Sequence, residues 1–141
     1  MKISYAILTH NEGEYIAELL TLLTTYKRDI DEIIVVDDGS TDESKSVINL
    51  ISDNRIYYYY QKNNGVSSAR NLGFQKSIGD FVVFFDADDI MSFNFIKDRL
   101  IHLNDNKQNA VCGNVIKLIG SHTYSEEVFE GAGANAITDI L

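Results

Sequence analysis

Apolar runs and helical stripes alternate along the chain from Ile3 to Leu103. Ile3 to Leu8 is a short apolar run that predicts a first strand, and Ile16, Leu19, Leu20, Leu23 and Tyr26 then recur at helical spacing. Glu32 to Val36 predicts a second strand, stopped by Asp37-Asp38-Gly39, and Val47, Ile48 and Ile51 supply the buried stripe of a second helix. Asn11 with Glu14, and Ser40 with Glu43, have the spacing of capping boxes that open these two helices. Arg55 to Tyr60 predicts a third strand, and the turn signal Asn63-Asn64-Gly65 leads into a helix from Val66 to Ile78, closed by Gly79-Asp80. Phe81 to Phe85 lacks alternation, which predicts a fourth strand buried on both faces. Phe93, Ile96, Leu100 and Leu103 mark a further helix, and Ala110 to Ile119 a fifth strand. Beyond Gly120 the pattern thins, and Gly131-Ala132-Gly133-Ala134 suggests loop.

Alternating strands and helices predict an α/β fold: a mainly parallel, Rossmann-like sheet with right-handed crossovers and helices on both faces. With 141 residues, 45% of them hydrophobic, the chain suits one compact domain. It has no proline, so its turns rest on Gly, Asn and Asp.

Twelve basic against 21 acidic residues give a formal net charge of -9, and no Lys/Arg cluster is present to track a phosphate backbone, so nucleic acid is not an expected partner. An anionic substrate needs a local reversal of this field, which a carboxylate-bound divalent cation supplies. Cys112, the single cysteine, sits in an apolar run and reads as a small buried hydrophobe, which rules out a disulfide within the chain. The apolar start is too short for a signal peptide and no run reaches the length of a membrane span. A cytoplasmic protein is expected, touching a membrane only peripherally, through a partner.

Ligands of open parallel sheets bind beyond the carboxyl ends of the strands. Three strands here end in polar groups: Thr9-His10-Asn11-Glu12, Asp37-Asp38-Gly39-Ser40 and Asp86-Ala87-Asp88-Asp89. Any one of these loops reads equally well as turns and caps. The acidic set after Phe85 is harder to explain that way, because mutual repulsion costs stability without a counter-ion. Residues two apart at an extended end face one space, which places Asp86 and Asp88 on one complex, and oxygen ligands suit Mg²⁺ or Mn²⁺. Arg70 meets a base or a phosphate, or is an ordinary solvated helix arginine. Tyr57 to Tyr60 stack on a base or pack on the next layer. His10 lies at the site edge, His102 and His122 read as surface residues, and none of the three is assigned as a metal ligand.

Ile7-Leu8-Thr9-His10-Asn11-Glu12, Val35-Val36-Asp37-Asp38-Gly39-Ser40-Thr41-Asp42, Asn64-Gly65-Val66-Ser67-Ser68-Ala69-Arg70-Asn71 and Phe84-Phe85-Asp86-Ala87-Asp88-Asp89 stand in this order. Together they resemble the family 2 glycosyltransferases. The resemblance spans about Met1 to Gly120 and implies the GT-A fold of nucleotide-diphospho-sugar transferases. It implies that the end of strand one, with Thr9, Asn11 and Glu12, and Asp38 help hold the nucleotide, with Arg70 nearby. Asp86, followed by Ala87, then lies near the ribose, and Asp88 ligates the metal with Asp86 beside it. The implied donor is a UDP-, GDP- or dTDP-linked sugar, with Mn²⁺ or Mg²⁺ as cofactor and a glycan, lipid or protein as acceptor. Two features depart from the family pattern. Leu8 and His10 replace the usual proline and tyrosine of the first motif, and the chain stops at Leu141, where family members continue with an acceptor-binding half and its Asp/Glu base. Residues 1–120 are therefore expected to be the donor half and 121–141 the start of a truncated or missing acceptor half. Glu126, Glu127 and Glu130 have no context that marks a general base, and none is assigned.

Other readings stay open on sequence: a purely structural or interaction domain whose acidic edge is a solvated rim, a catalytically incomplete nucleotide-sugar-binding module, and a flavodoxin-like phosphoacceptor domain with Mg²⁺ on Asp37 and Asp38. The phosphoacceptor reading fits poorly, since the third strand ends in Tyr60-Gln61 while the carboxylates follow the fourth.

Overall fold

A computed structural model describes residues 2–25, 32–89, 115–119 and 123–127. The first unit runs from Met1 to Ile90 and the second from Met91 to Leu141. In the first, β1 (Ile3–Thr9), α1 (Gly13–Thr25), β2 (Glu32–Asp38), α2 (Ser44–Leu50), β3 (Ile56–Gln61), α3 (Val66–Lys76) and β4 (Phe81–Asp86) follow in order.

Four parallel strands form a sheet ordered β3-β2-β1-β4. β1 and β2 are buried along their whole length, as their unbroken apolar runs require of central strands. Chain order steps from β1 to β2 to β3 in one direction and then returns to β4 beyond β1. Right-handed crossovers consequently put α1 and α2, which pack on each other, on one face and α3 on the other. α3 seats close because small residues face the sheet: Ala69 is fully buried, and a Cβ on Gly73 would lie 3.0 Å from Ala6 Cβ. Leu8, Ile34, Val36 and Ala69, with Tyr59 and Leu72 packed on them, form the core beneath α3.

The structure departs from the sequence pattern in four places. β2 continues through Asp37 and Asp38, which pair with Tyr60 and Gln61, because their carboxylates are satisfied at the strand end. β4 is not buried on both faces: Phe84 is 44% exposed and residues 81–83 are half-buried, since β4 lies at the edge of the described sheet with β1 beside it. An apolar run alone does not separate a central strand from an edge. The described part of the expected fifth strand, β5 (Val115–Ile119), pairs antiparallel with β6 (Thr123–Glu127) rather than joining the parallel sheet. Only Gly120 to His122 separate these strands in sequence, too few for a parallel crossover. Neither capping box forms: α2 begins after Glu43 without a side-chain cap from it, and Asn11 adopts a positive φ of 57°. The helix expected around Phe93 to Leu103, Cys112, His102 and His122 lie outside the described residues. Among the described residues no helix is long and apolar enough to cross a membrane.

Candidate functional site

The strand order reverses at β1, with β2 on one side and β4 on the other, and in open α/β sheets a ligand crevice lies beyond the carboxyl ends of the strands at such a point. An open cleft of about 370 Å³ lies there. β1 and the loop after it contribute Leu8, Thr9, His10 and Glu12, β2 contributes Asp38, and the end of β4 contributes Asp86 and Asp88. Asn63, Val66 and Ala69 complete its wall. A second hollow, lined by Thr24, Asp53 and Arg55, lies away from these strand ends.

Each sequence-selected residue has a definite place. Thr9, Glu12, Asp38, Asp86 and Asp88 meet at the cleft. Asp38 is 7% exposed, and its Oδ1 accepts from Gln61 Nε2 at 2.6 Å and the Asn64 amide at 2.8 Å while Oδ2 accepts from the Gly65 amide at 2.9 Å. Burial alone raises a carboxyl pKa, but these hydrogen bonds outweigh it and hold Asp38 below the usual range. Arg70 reaches the rim and donates to both Asp86 oxygens at 3.1 Å, in a half-exposed ion pair. Ala87 is buried, and its amide donates to Leu8 O at 2.9 Å, tying the acidic turn to β1. Asn11 is not part of the cleft lining: its Oδ1 accepts from the Thr41 amide and its own amide donates to Ser40 Oγ.

His10, placed at the site edge by sequence but given no role, lines the cleft, and so does Asn63, which sequence reasoning did not select. The Asp38 carbonyl can only accept, so the 2.7 Å contact fixes the proton on His10 Nδ1 and leaves Nε2 to accept from Asn11 Nδ2. Asn63 is set by Gly39: φ there is +82°, and an added Cβ would come within 2.7 Å of the Asn63 amide nitrogen. Replacing Gly39 by Ala is expected to cost about 1–3 kcal/mol and to displace Asn63. Chemical denaturation reads the first effect and nucleotide titration the second.

The field in the cleft is negative. Burial raises the Glu12 pKa, and the charges of Asp88 and Asp86 add to the rise. Asp89 is shifted up by burial and then by Asp86 and Asp88. The Thr9 hydroxyl is buried at the cleft floor with no hydrogen bond of good geometry, though it lies near enough to Glu12 to favour that carboxylate's charged form. An orphaned hydroxyl among under-neutralised carboxylates fits a hard, oxygen-preferring cation such as Mn²⁺ or Mg²⁺. Among the described residues no three His, Cys, Asp or Glu side chains converge tightly enough to hold a metal by themselves. Of the two carboxylates at the end of β4 that line the cleft, Asp86 is paired with Arg70 and Asp88 is not.

Acid should act on this frame in a defined direction. Asp38, Asp42 and Asp53 are all held below the ordinary carboxylate value, Asp53 chiefly by the Arg55 side chain. Such groups contribute stability that is complete above their unfolded pKa near ~4 and is lost as pH falls through the lower folded values. Asp38→Asn is therefore expected to lower the unfolding temperature most at pH 6 to 7, with the gap to wild type closing well below ~pH 4. A gap independent of pH would mean that the charge on Asp38 does not matter.

The family model for glycosyl transferase family 2 matches residues 4–127. Glycosyltransferase GlyG of Streptococcus pneumoniae is 31% identical over 115 residues, covering 79% of this chain and 38% of that protein. The putative glycosyltransferase EpsH of Bacillus subtilis is 29% identical over 140 residues, covering 98% of this chain and 38% of that protein. The chain thus spans about two fifths of the length of these curated relatives. Among solved structures, S. aureus TarS in complex with UDP-GlcNAc superposes with a TM-score of 0.67 at 26% identity, over 84% of this chain and 37% of that one. The mannosyltransferase PcManGT from Pyrobaculum calidifontis, in complex with GDP-Man and Mn²⁺, gives 0.68 at 23% identity over 76% of this chain and 33% of that one, a likeness of fold.

Proposed function

The chain belongs to glycosyl transferase family 2, with a GT-A fold, and from that premise we propose that its cleft binds a nucleotide-diphosphate sugar together with a divalent cation for transfer of the sugar to an acceptor. One observation carries the reading: carboxylates from the ends of β1, β2 and β4 line a single crevice at the point where strand order reverses. Thr9, Asn11, Glu12 and Asp38 form the nucleotide end, Asn11 acting through the loop it holds. Arg70, Asp86 and Ala87 define the ribose side, and Asp88 with Asp86 forms the metal end. When bound, Mn²⁺ or Mg²⁺ supplies positive charge against the diphosphate that leaves when the glycosidic bond breaks. Arg70 holds Asp86 in place, and the Asp38 hydrogen bonds fix the wall opposite.

The donor is a UDP-, GDP- or dTDP-linked sugar and the acceptor a glycan, lipid or protein. In this reading residues 1–120 hold the donor, residues 121–141 open the acceptor-binding half, and the protein works in the cytoplasm. A binding module without transferase activity shares the donor site, and only turnover separates the two.

A thermal-shift panel of UDP-, GDP- and dTDP-sugars with and without Mn²⁺ tests the proposal. One nucleotide class should stabilise the protein by several degrees, about 5–10 °C at a hundredfold excess over Kd, in the presence of metal. No stabilisation by any of the three would overturn it.

A further inference from the structure

Helix α1 starts at Gly13, and its first intrahelical bond runs from the Ile16 amide to Glu12 O, which makes Glu12 the residue that should cap it. Glutamate is poor in that role, and here its side chain turns into the cleft instead. The cap comes from another loop. Asp42, between β2 and α2, accepts from the Gly13 amide at 3.0 Å through Oδ2. Its Oδ1 accepts from the Ser44 amide at 3.0 Å and the Ser44 hydroxyl at 2.5 Å. Ser44 Oγ in turn accepts from the Glu12 amide at 3.2 Å. One carboxylate therefore ties the start of α2 to the start of α1, about thirty residues away in sequence.

We infer that Asp42, with Ser44, is a positioning residue for the donor site: by holding the Glu12 and Gly13 amides from a separate loop, the pair fixes the backbone that presents the Glu12 carboxylate to the cleft beside Asp86 and Asp88. The inference rests on the donor-binding reading above. Without Asp42 the Gly13 amide and the Ser44 hydroxyl lose their acceptor, and Ser44, whose Oγ accepts from the Glu12 amide, no longer fixes the backbone from which the Glu12 side chain enters the cleft. Glu43, whose carboxylate already lies against Gly13, is the nearest anion to take over the helix start, but it has no bond to Ser44 that would restore this anchor. Asp42 lies outside the cleft lining, so its effect must pass through the loop it holds.

A double-mutant cycle separates this from a general loss of stability. Binding of the nucleotide diphosphate selected by the panel, in the presence of Mn²⁺, is measured by calorimetry for wild type, Asp42→Ala, Glu12→Gln and the pair, at a temperature where circular dichroism shows all four folded. Each single change should weaken binding about tenfold, and the pair should be no weaker than the worse single variant. Ser44→Ala, a milder change, should move in the same direction, and Asp42→Asn, which keeps an acceptor oxygen, should recover part of the loss. Additive losses in the pair, or Asp42→Ala binding like wild type, would overturn the inference while leaving the donor site standing. If wild type itself binds none of the nucleotides, the donor reading fails and takes this inference with it.

Discussion

Asp88→Asn should abolish metal-dependent binding of the nucleotide sugar while leaving the fold intact. Asp88 is exposed at the cleft mouth and caps no described helix, so removing its charge costs the sheet little. Of the two carboxylates that the end of β4 contributes to the cleft, Asp86 is paired with Arg70 and Asp88 is not. Removing a group that merely supports a ligand costs 10- to 100-fold in typical metal sites, so loss of the ligand itself should raise the apparent Kd by at least about 100-fold. In a thermal-shift experiment with Mn²⁺ and donor, the wild-type increment should vanish in the variant. Asp86→Asn should be milder in metal dependence, because its carboxylate already shares charge with Arg70.

Glu32→Ala should be the most damaging change remote from the cleft. Glu32 is buried at the opposite end of the sheet, where it accepts from the Ser4 hydroxyl and from the Ile78 amide at 2.6 Å. Ser4 Oγ also accepts from the Gly79 amide at 2.8 Å, so one carboxylate organises the connection from α3 into β4. Its removal strands a buried hydroxyl and a backbone amide, each costing about 1–3 kcal/mol. A loss of about 3 kcal/mol, or roughly 10 °C in Tm, is expected in thermal or urea unfolding. Because β4 carries Asp86 and Asp88, donor binding should weaken too, whereas a surface glutamate would leave both measurements unchanged.

Much of this arrangement was legible in the sequence. Continuous apolar runs at Ile3 to Leu8 and Glu32 to Val36 mark two central strands because both of their faces are covered. The abrupt polar ends of β1, β2 and β4 place the cleft, since topology brings those ends together. Other features depend on contacts that local pattern does not encode. Phe81 to Phe85 looks as buried as β2, but burial of a strand is set by its neighbours in the sheet. Asn11 and Glu14 have capping-box spacing, yet Asp42 takes over the helix start from a separate loop. Val115 to Ile119 reads as one more strand, and only the shortness of the connection to Thr123 decides that its partner is antiparallel. His10 stood at the site edge by position, while its tautomer followed only from the Asp38 carbonyl beside it.

The central physical claim is that the cation and the diphosphate are held together, each incomplete without the other. Electron paramagnetic resonance of Mn²⁺ titrated with this protein tests it directly, with UDP, GDP and dTDP each added or withheld. Little Mn²⁺ should bind to the protein alone, and much more when the matching nucleotide is present, with Asp88→Asn losing the difference. Equal Mn²⁺ binding with and without every nucleotide, or the same enhancement in Asp88→Asn, would contradict it.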